Sequence, residues 1–91
     1  MSKVLASVGI FVEKSEKLGA LSRLCKIDYV REVYDVVGEF DILSIISAPS
    51  LEKLRDTVHG QIMHIKGVRS VITNIILAPH QTLRPQSPSK R

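Results

Sequence analysis

The chain has 91 residues, 44% of them apolar and 24% charged, with a formal net charge of +4. That length makes one small domain with a single, marginal core, and no apolar run reaches the roughly 18 residues of a membrane span. The charge does not make a nucleic-acid signature: residues 1–78 hold 10 basic and 9 acidic residues, a net +1, and Arg84, Lys90 and Arg91 supply the rest.

A DNA or RNA binder carries its basic stripe on a folded surface. Here the excess sits on HQTLRPQSPSKR, a Pro/Ser/Gln-rich end that reads as a disordered tail. We therefore expect a folded body over residues 1–78 and a basic tail over 79–91, with no direct DNA binding. Aromatics are 4% and Trp is absent, so the core is aliphatic. Met1-Ser2-Lys3 leads directly into a strand-like segment rather than a cleavable leader. The single cysteine, Cys25, cannot form an internal disulfide and fits a reducing cytosol. The expected location is cytoplasmic.

In chain order, Val4 to Val12 is apolar and partly β-branched, a strand. Ser15-Glu16-Lys17 opens a helix with Ser15 as N-cap, and Leu18, Leu21 and Leu24/Cys25 recur at helical spacing on its buried face. Val30 to Val37 is a second strand and Phe40 to Ala48 a third. Pro49-Ser50 stops that strand and caps a second helix, whose apolar stripe is Leu51, Leu54, Val58, Ile62 and Ile65. Gly60 falls inside that helix, where glycine costs about 1 kcal/mol relative to alanine. After Gly67, Val68 to Leu77 is the fourth strand.

The order is βαββαβ, and the halves resemble each other. Ile27 to Val33 matches Ile65 to Val71 at an offset of 38, and Glu16-Lys17-Leu18 matches Glu52-Lys53-Leu54 at an offset of 36. Two βαβ units joined by a hairpin give an α+β, ferredoxin-like fold: a four-stranded antiparallel sheet with both helices on one face. Each strand then poses a problem. Val4, Ala6, Val8 and Ile10 alternate with Leu5, Ser7, Gly9 and Phe11; Leu43 and Ile45 oppose Ile42 and Ile46; Ile72 and Ile76 oppose Val71 and Ile75. Both faces are apolar, and two helices cover one. A bare apolar face of that size belongs against another chain, so a sheet-to-sheet two-fold dimer is expected.

Chemistry on this frame is sparse. Cys25 on the apolar stripe reads as a buried structural thiol. His59 and His64 are five apart, whereas a helical metal pair needs three or four. No metal or cofactor is expected. There is no CxxC for a copper chaperone, no Gly-rich phosphate loop for an acylphosphatase, and too few strand aromatics for RNA stacking.

The turn VVGEFDIL, Val36 to Leu43, is the exception. Gly38 suits the first central position of a type II′ hairpin. Asp41 is then either a local turn residue or an anchor for a ligand ammonium, with main-chain N–H groups beside Gly38 facing a ligand carboxylate.

Val33 to Leu43, followed by Ile65 to Leu77, resembles the effector (RAM) domain of the Lrp/AsnC family. That family's pattern is met by Val36, Gly38, Phe40 and Asp41, then Gly67-Val68 and Thr73; the resemblance covers about residues 3 to 78. Val37 stands where threonine is common and Phe40 where tyrosine is frequent. The resemblance implies face-to-face dimers that assemble into octamers or decamers, and a small effector, usually an amino acid, bound between dimers. By it, Gly38, Glu39, Phe40 and Asp41 contact the ligand, with Ser70 and Thr73 as further polar partners. Full-length members carry an N-terminal helix-turn-helix. With three residues ahead of its first strand, this chain looks like a stand-alone effector module, acting in transcription regulation through its own assembly or through full-length Lrp/AsnC partners. It is not expected to be an enzyme.

Two rivals share the frame. An ACT-type regulatory domain usually has a glycine after its first strand, where this chain has Glu13-Lys14-Ser15. A dimeric α+β barrel enzyme places a His or carboxylate in its sheet-lined cavity, where this chain offers Glu32 and Asp35 in the second strand.

Overall fold

The computed structural model describes residues 3–77. The elements run β1 (Val4–Val12), α1 (Lys17–Leu24), β2 (Val30–Asp35), β3 (Ile42–Ala48), α2 (Leu51–Gly60) and β4 (Val68–Ile76), with single 3₁₀ turns at Lys14–Glu16 and Ile62–His64. The strands form one antiparallel sheet in the order β2-β3-β1-β4. This is the split βαβ arrangement that the two half-repeats predict. The tail beyond Leu77, on which the expected disorder fell, lies outside the described residues.

The period-2 pattern of β1 sorts its side chains as expected. Ala6, Val8, Ile10 and Val12 are buried beneath the helices with Ile42, Ile46 and Ala48 from β3. From the helices come Ala20 and Leu24 of α1, Leu54 and Val58 of α2, and Ile62 and Ile65 beyond it. Ser44 and Thr57 are the buried polar side chains among the described residues, and both are satisfied: Ser44 Oγ donates to the Val8 carbonyl and Thr57 Oγ1 to the Lys53 carbonyl. Ser50 caps α2 as expected, its Oγ accepting from the Lys53 N–H at 3.1 Å.

The first helix departs from its expected face. A 3₁₀ turn occupies Lys14–Glu16, so Ser15 caps nothing and α1 starts at Lys17. The helix then buries Ala20 and Leu24 and leaves Leu18 81% exposed. Cys25, just past the last turn, is exposed rather than buried. The late start rotates the stripe: positions 20 and 24 share one face, and 18 and 25 fall off it. In this orientation Lys17, the first residue of the helix, forms an ion pair with Asp35 at the end of β2, 2.6 Å. In the second helix Leu51 is exposed, and Gly60 is the last residue of α2 rather than an interior one.

Both sheet faces are apolar, and the helices cover one. On the bare face Phe11, Leu43 and Ile45 are half-buried, while Ile72 and Ile76 are 43% and 39% exposed. Each half-repeat also carries a β-bulge at the same place. Phe11 pairs with Ser70 and Val12 with Val68, so Arg69 is the extra residue on β4. Val30 pairs with Ile46 and Glu32 with Ile45, so Arg31 is the extra residue on β2. The two arginines occupy matching positions of the internal repeat, 38 apart.

Candidate functional site: a polar pocket at the end of the open sheet face

The β2–β3 connection is longer than a two-residue hairpin. β2 ends at Asp35 and β3 starts at Ile42, so Val36 to Asp41 form a six-residue loop closed by a long Val36 N–H to Asp41 carbonyl bond, 3.4 Å. Gly38 has φ +151°, a conformation suited to glycine, but it is not the first central residue of a type II′ turn. The cause is that Phe40 and Asp41 serve β1 instead of β2. The Asp41 N–H donates to the Ile10 carbonyl at 3.0 Å, and Asp41 Oδ2 accepts from the Val12 N–H at 2.9 Å. The Phe40 ring lies against Gly9, where any Cβ would overlap it, and meets Phe11 at 5.4 Å between ring centroids with a 60° tilt. That separation and tilt are favourable for an aromatic pair.

Beside this aromatic pair is a pocket of about 250 Å³ lined by Phe11, Asp41, Arg69 and Ser70. Strict alternation would put Arg69 and Ser70 on opposite faces of β4. The bulge at Arg69 breaks the alternation and lets both line one pocket. Asp41 supplies a carboxylate whose Oδ1 accepts nothing from the described residues. Arg69 supplies a guanidinium; its Nε lies 3.6 Å from Glu13 Oε2, with both side chains largely exposed. An exposed pair of this kind is worth about 0–1 kcal/mol, so a ligand carboxylate can take Arg69 at little cost. An anion, a cation, a hydroxyl and an aromatic wall around one small space match a zwitterion with an apolar side chain.

Of the residues expected to bind, Asp41 and Ser70 come together here. Phe40 stands behind Phe11, and Gly38 and Glu39 are exposed on the adjoining loop. Thr73 lies elsewhere. It pairs with Val8, faces the helix layer, and lines a separate groove with α2. The structure adds Arg69 and Phe11, which the sequence did not single out. The signal for Arg69 was present in the repeat, where it matches Arg31, but its aim depends on the bulge. Among the described residues no cluster of three or more His, Cys, Asp or Glu side chains is placed to hold a metal, and no helix is long and apolar enough to cross a membrane.

The pattern of the Lrp/AsnC ligand binding domain matches residues 5–85, and the chain belongs to that family. A search of curated proteins gave no match. Among solved structures, TTHA0845 from Thermus thermophilus superposes with a TM-score of 0.82 at 23% identity, over 85% of this chain and 96% of that one. AsnC of E. coli gives 0.80 at 26% identity, over 93% of this chain and 57% of that one. The feast or famine regulatory protein of M. tuberculosis, complexed with L-methionine, gives 0.73 at 27% identity, over 91% and 56%. This chain thus spans nearly all of the Thermus protein and a little over half of the other two.

Proposed function

We propose that this domain is a non-catalytic, cytoplasmic amino-acid sensor that binds its effector in the Asp41–Arg69–Ser70 pocket and acts in transcription regulation by changing its assembly. The observation that carries this is the pairing of a carboxylate and a guanidinium around one pocket, in a member of a ligand-binding family. Asp41 Oδ1 takes the effector ammonium, Arg69 its carboxylate, and Ser70 a remaining acceptor or donor. The Phe11–Phe40 wall favours an apolar side chain, in keeping with the L-methionine held by the M. tuberculosis relative. Gly38 and Glu39 contact the ligand from the loop, and Thr73 does so only across an interface, from a second copy.

The open sheet face is the dimer surface in this reading, packed sheet to sheet. Dimers then assemble to an octamer or decamer, or join full-length Lrp/AsnC regulators. An effector shifts such an equilibrium only by binding one state better than another.

A thermal-shift panel of the twenty amino acids tests the reading. Ligand at 100 times its Kd adds about 2.7 kcal/mol, which for a domain of this size raises Tm by several degrees. A selective, saturable rise supports a sensor. A flat response across all twenty removes it.

A further inference from the structure

The two half-repeats meet at a further pocket of about 270 Å³ in the helix layer. Arg23, Lys26 and Ile27 line it from the end of α1, and Gln61, His64 and Ile65 from the turn that follows α2. These residues are three pairs at the repeat offset of 38: 23 with 61, 26 with 64 and 27 with 65. The backbone repeats with them. The Lys26 N–H donates to the Arg23 carbonyl at 3.0 Å, and the His64 N–H to the Gln61 carbonyl at 3.1 Å. The Ile27 N–H donates to the Leu24 carbonyl at 3.2 Å, and the Ile65 N–H to the Ile62 carbonyl at 3.1 Å. The pocket thus straddles the pseudo-two-fold relation of the domain, and each half presents the same three positions to it.

The backbone is symmetric here and the charge is not. One half brings a guanidinium and an ammonium, the other an amide and an imidazole, and all four donate hydrogen bonds. Ile27 and Ile65, both packed into the core, give the pocket an apolar base. Basic side chains near a helix end ordinarily complement its last carbonyls. The carbonyls of Arg23, Leu24, Gln61 and Ile62 already accept main-chain N–H groups, so they do not require these side chains. Arg23 and Lys26 are three apart, close enough to repel each other, and an anion between them relieves that repulsion. The adjoining cleft is shared by Arg23, Ile65 and Glu16, and Glu16 is engaged there by Lys66 at 3.8 Å.

We propose that this pocket is a phosphoryl-anion site, with Arg23 and Lys26 holding the charge and Gln61 and His64 taking the remaining oxygens. A carboxylate has one charge and two oxygens, which Arg23 alone would satisfy. A phosphoryl group has up to two charges and three acceptor oxygens, and so matches two cations flanked by two further donors. The volume is near the small end of ligand pockets, the scale of a phosphate ester or a diphosphate. The site shares no residue with the Asp41 pocket, so it stands whether or not that pocket holds an amino acid.

The test follows the backbone amide resonances of the isotope-labelled full chain during titration with inorganic pyrophosphate at constant ionic strength. Saturable shifts are expected at residues 23–27 and 61–65, in both half-repeats. Arg23→Gln and Lys26→Gln should each weaken binding about tenfold or more, as for a charged hydrogen-bond partner, and Gln61→Ala by several-fold. Arg23, Lys26 and Gln61 are exposed, and unchanged resonances elsewhere confirm that the variants fold. Lys53→Gln removes the same charge about 12 Å along α2 from Gln61, past the screening length of about 10 Å at 0.1 M salt, and should bind as the wild type does. Inorganic phosphate and adenosine 5′-diphosphate in parallel titrations identify the source: the tightest of the three ligands says whether the group is a free phosphate, a diphosphate or part of a nucleotide. The proposal is overturned if none of the three binds saturably, if the shifts fall outside these two segments, if Arg23→Gln binds as the wild type does, or if Lys53→Gln weakens binding as much as Arg23→Gln.

Discussion

Asp41 accepts a hydrogen bond from the main-chain N–H of Val12, 29 residues earlier, through Oδ2 at 2.9 Å. One oxygen of the carboxylate thus closes the end of β1 beside the bulge of β4, and the same residue lines the pocket. Asp41 is at once a structural and a candidate ligand group. Asp41→Ala should cost about 1–3 kcal/mol, as expected for a charged acceptor lost from a partly buried N–H, and lower Tm by several degrees. Thermal unfolding without ligand checks this. An unchanged Tm would make the Val12 bond energetically idle. Because stability and the proposed binding role meet at this residue, Arg69→Gln is the cleaner probe of the pocket.

Gly9 and Phe40 form a second long-range pair. A Cβ at position 9 would overlap the Phe40 ring, so Gly9→Ala should displace the ring from Phe11 and cost about 1–3 kcal/mol. In a double-mutant cycle the effects of Gly9→Ala and Phe40→Ala should be non-additive by at least about 0.5 kcal/mol. Additive effects would mean the ring does not rest on Gly9.

The bare sheet face predicts association. Ile72→Asp puts a charge at an exposed apolar position. If that face were solvated, the change would cost almost nothing; if it packs on a second copy, it buries an unpaired charge and should break the pair. Sedimentation velocity should show the wild type as a dimer or larger and Ile72→Asp as a monomer. A wild type that sediments as a monomer would leave the face unexplained.

Tyr34 gives a pH-dependent signature on the same face. Its hydroxyl donates to Glu32 Oε1 at 2.5 Å, and that hydrogen bond, with the neighbouring negative charge, raises its pKa above the ordinary 10.0. A raised folded pKa favours the protonated form, so any stabilisation is complete below pH 10.0 and is lost as pH rises through the folded value. Ultraviolet titration in a Tyr29→Phe background should show ionisation above 10.0, and Glu32→Gln should move it back toward 10.0. A midpoint at the ordinary value in both would remove the interaction.

Much of the fold was legible because it rests on local pattern. The alternation of Ala6, Val8, Ile10 and Val12 named the buried face of β1, and Ser50 announced the start of α2. The misreadings share a cause: each depended on a contact between distant segments. α1 begins after a 3₁₀ turn with Lys17 set against Asp35 of β2, and no periodicity within Leu18 to Cys25 carries that information. Phe40 and Asp41 read as strand residues because their true partners, Gly9 and Val12, lie far back in the chain. At the candidate site, Asp41 was readable from its turn, and Ser70 only through the family resemblance. Arg69 was not, since a bulge decides its direction and a bulge leaves no mark in a run such as Val68-Arg69-Ser70.

The most direct test of the amino-acid reading is a calorimetric titration with whichever amino acid gives the largest thermal shift, into the wild type and into Arg69→Gln. The account predicts that Arg69→Gln weakens binding about tenfold or more, as for a lost charged hydrogen bond. Wild-type affinity in Arg69→Gln would contradict it, and would move the effector away from the Asp41 pocket.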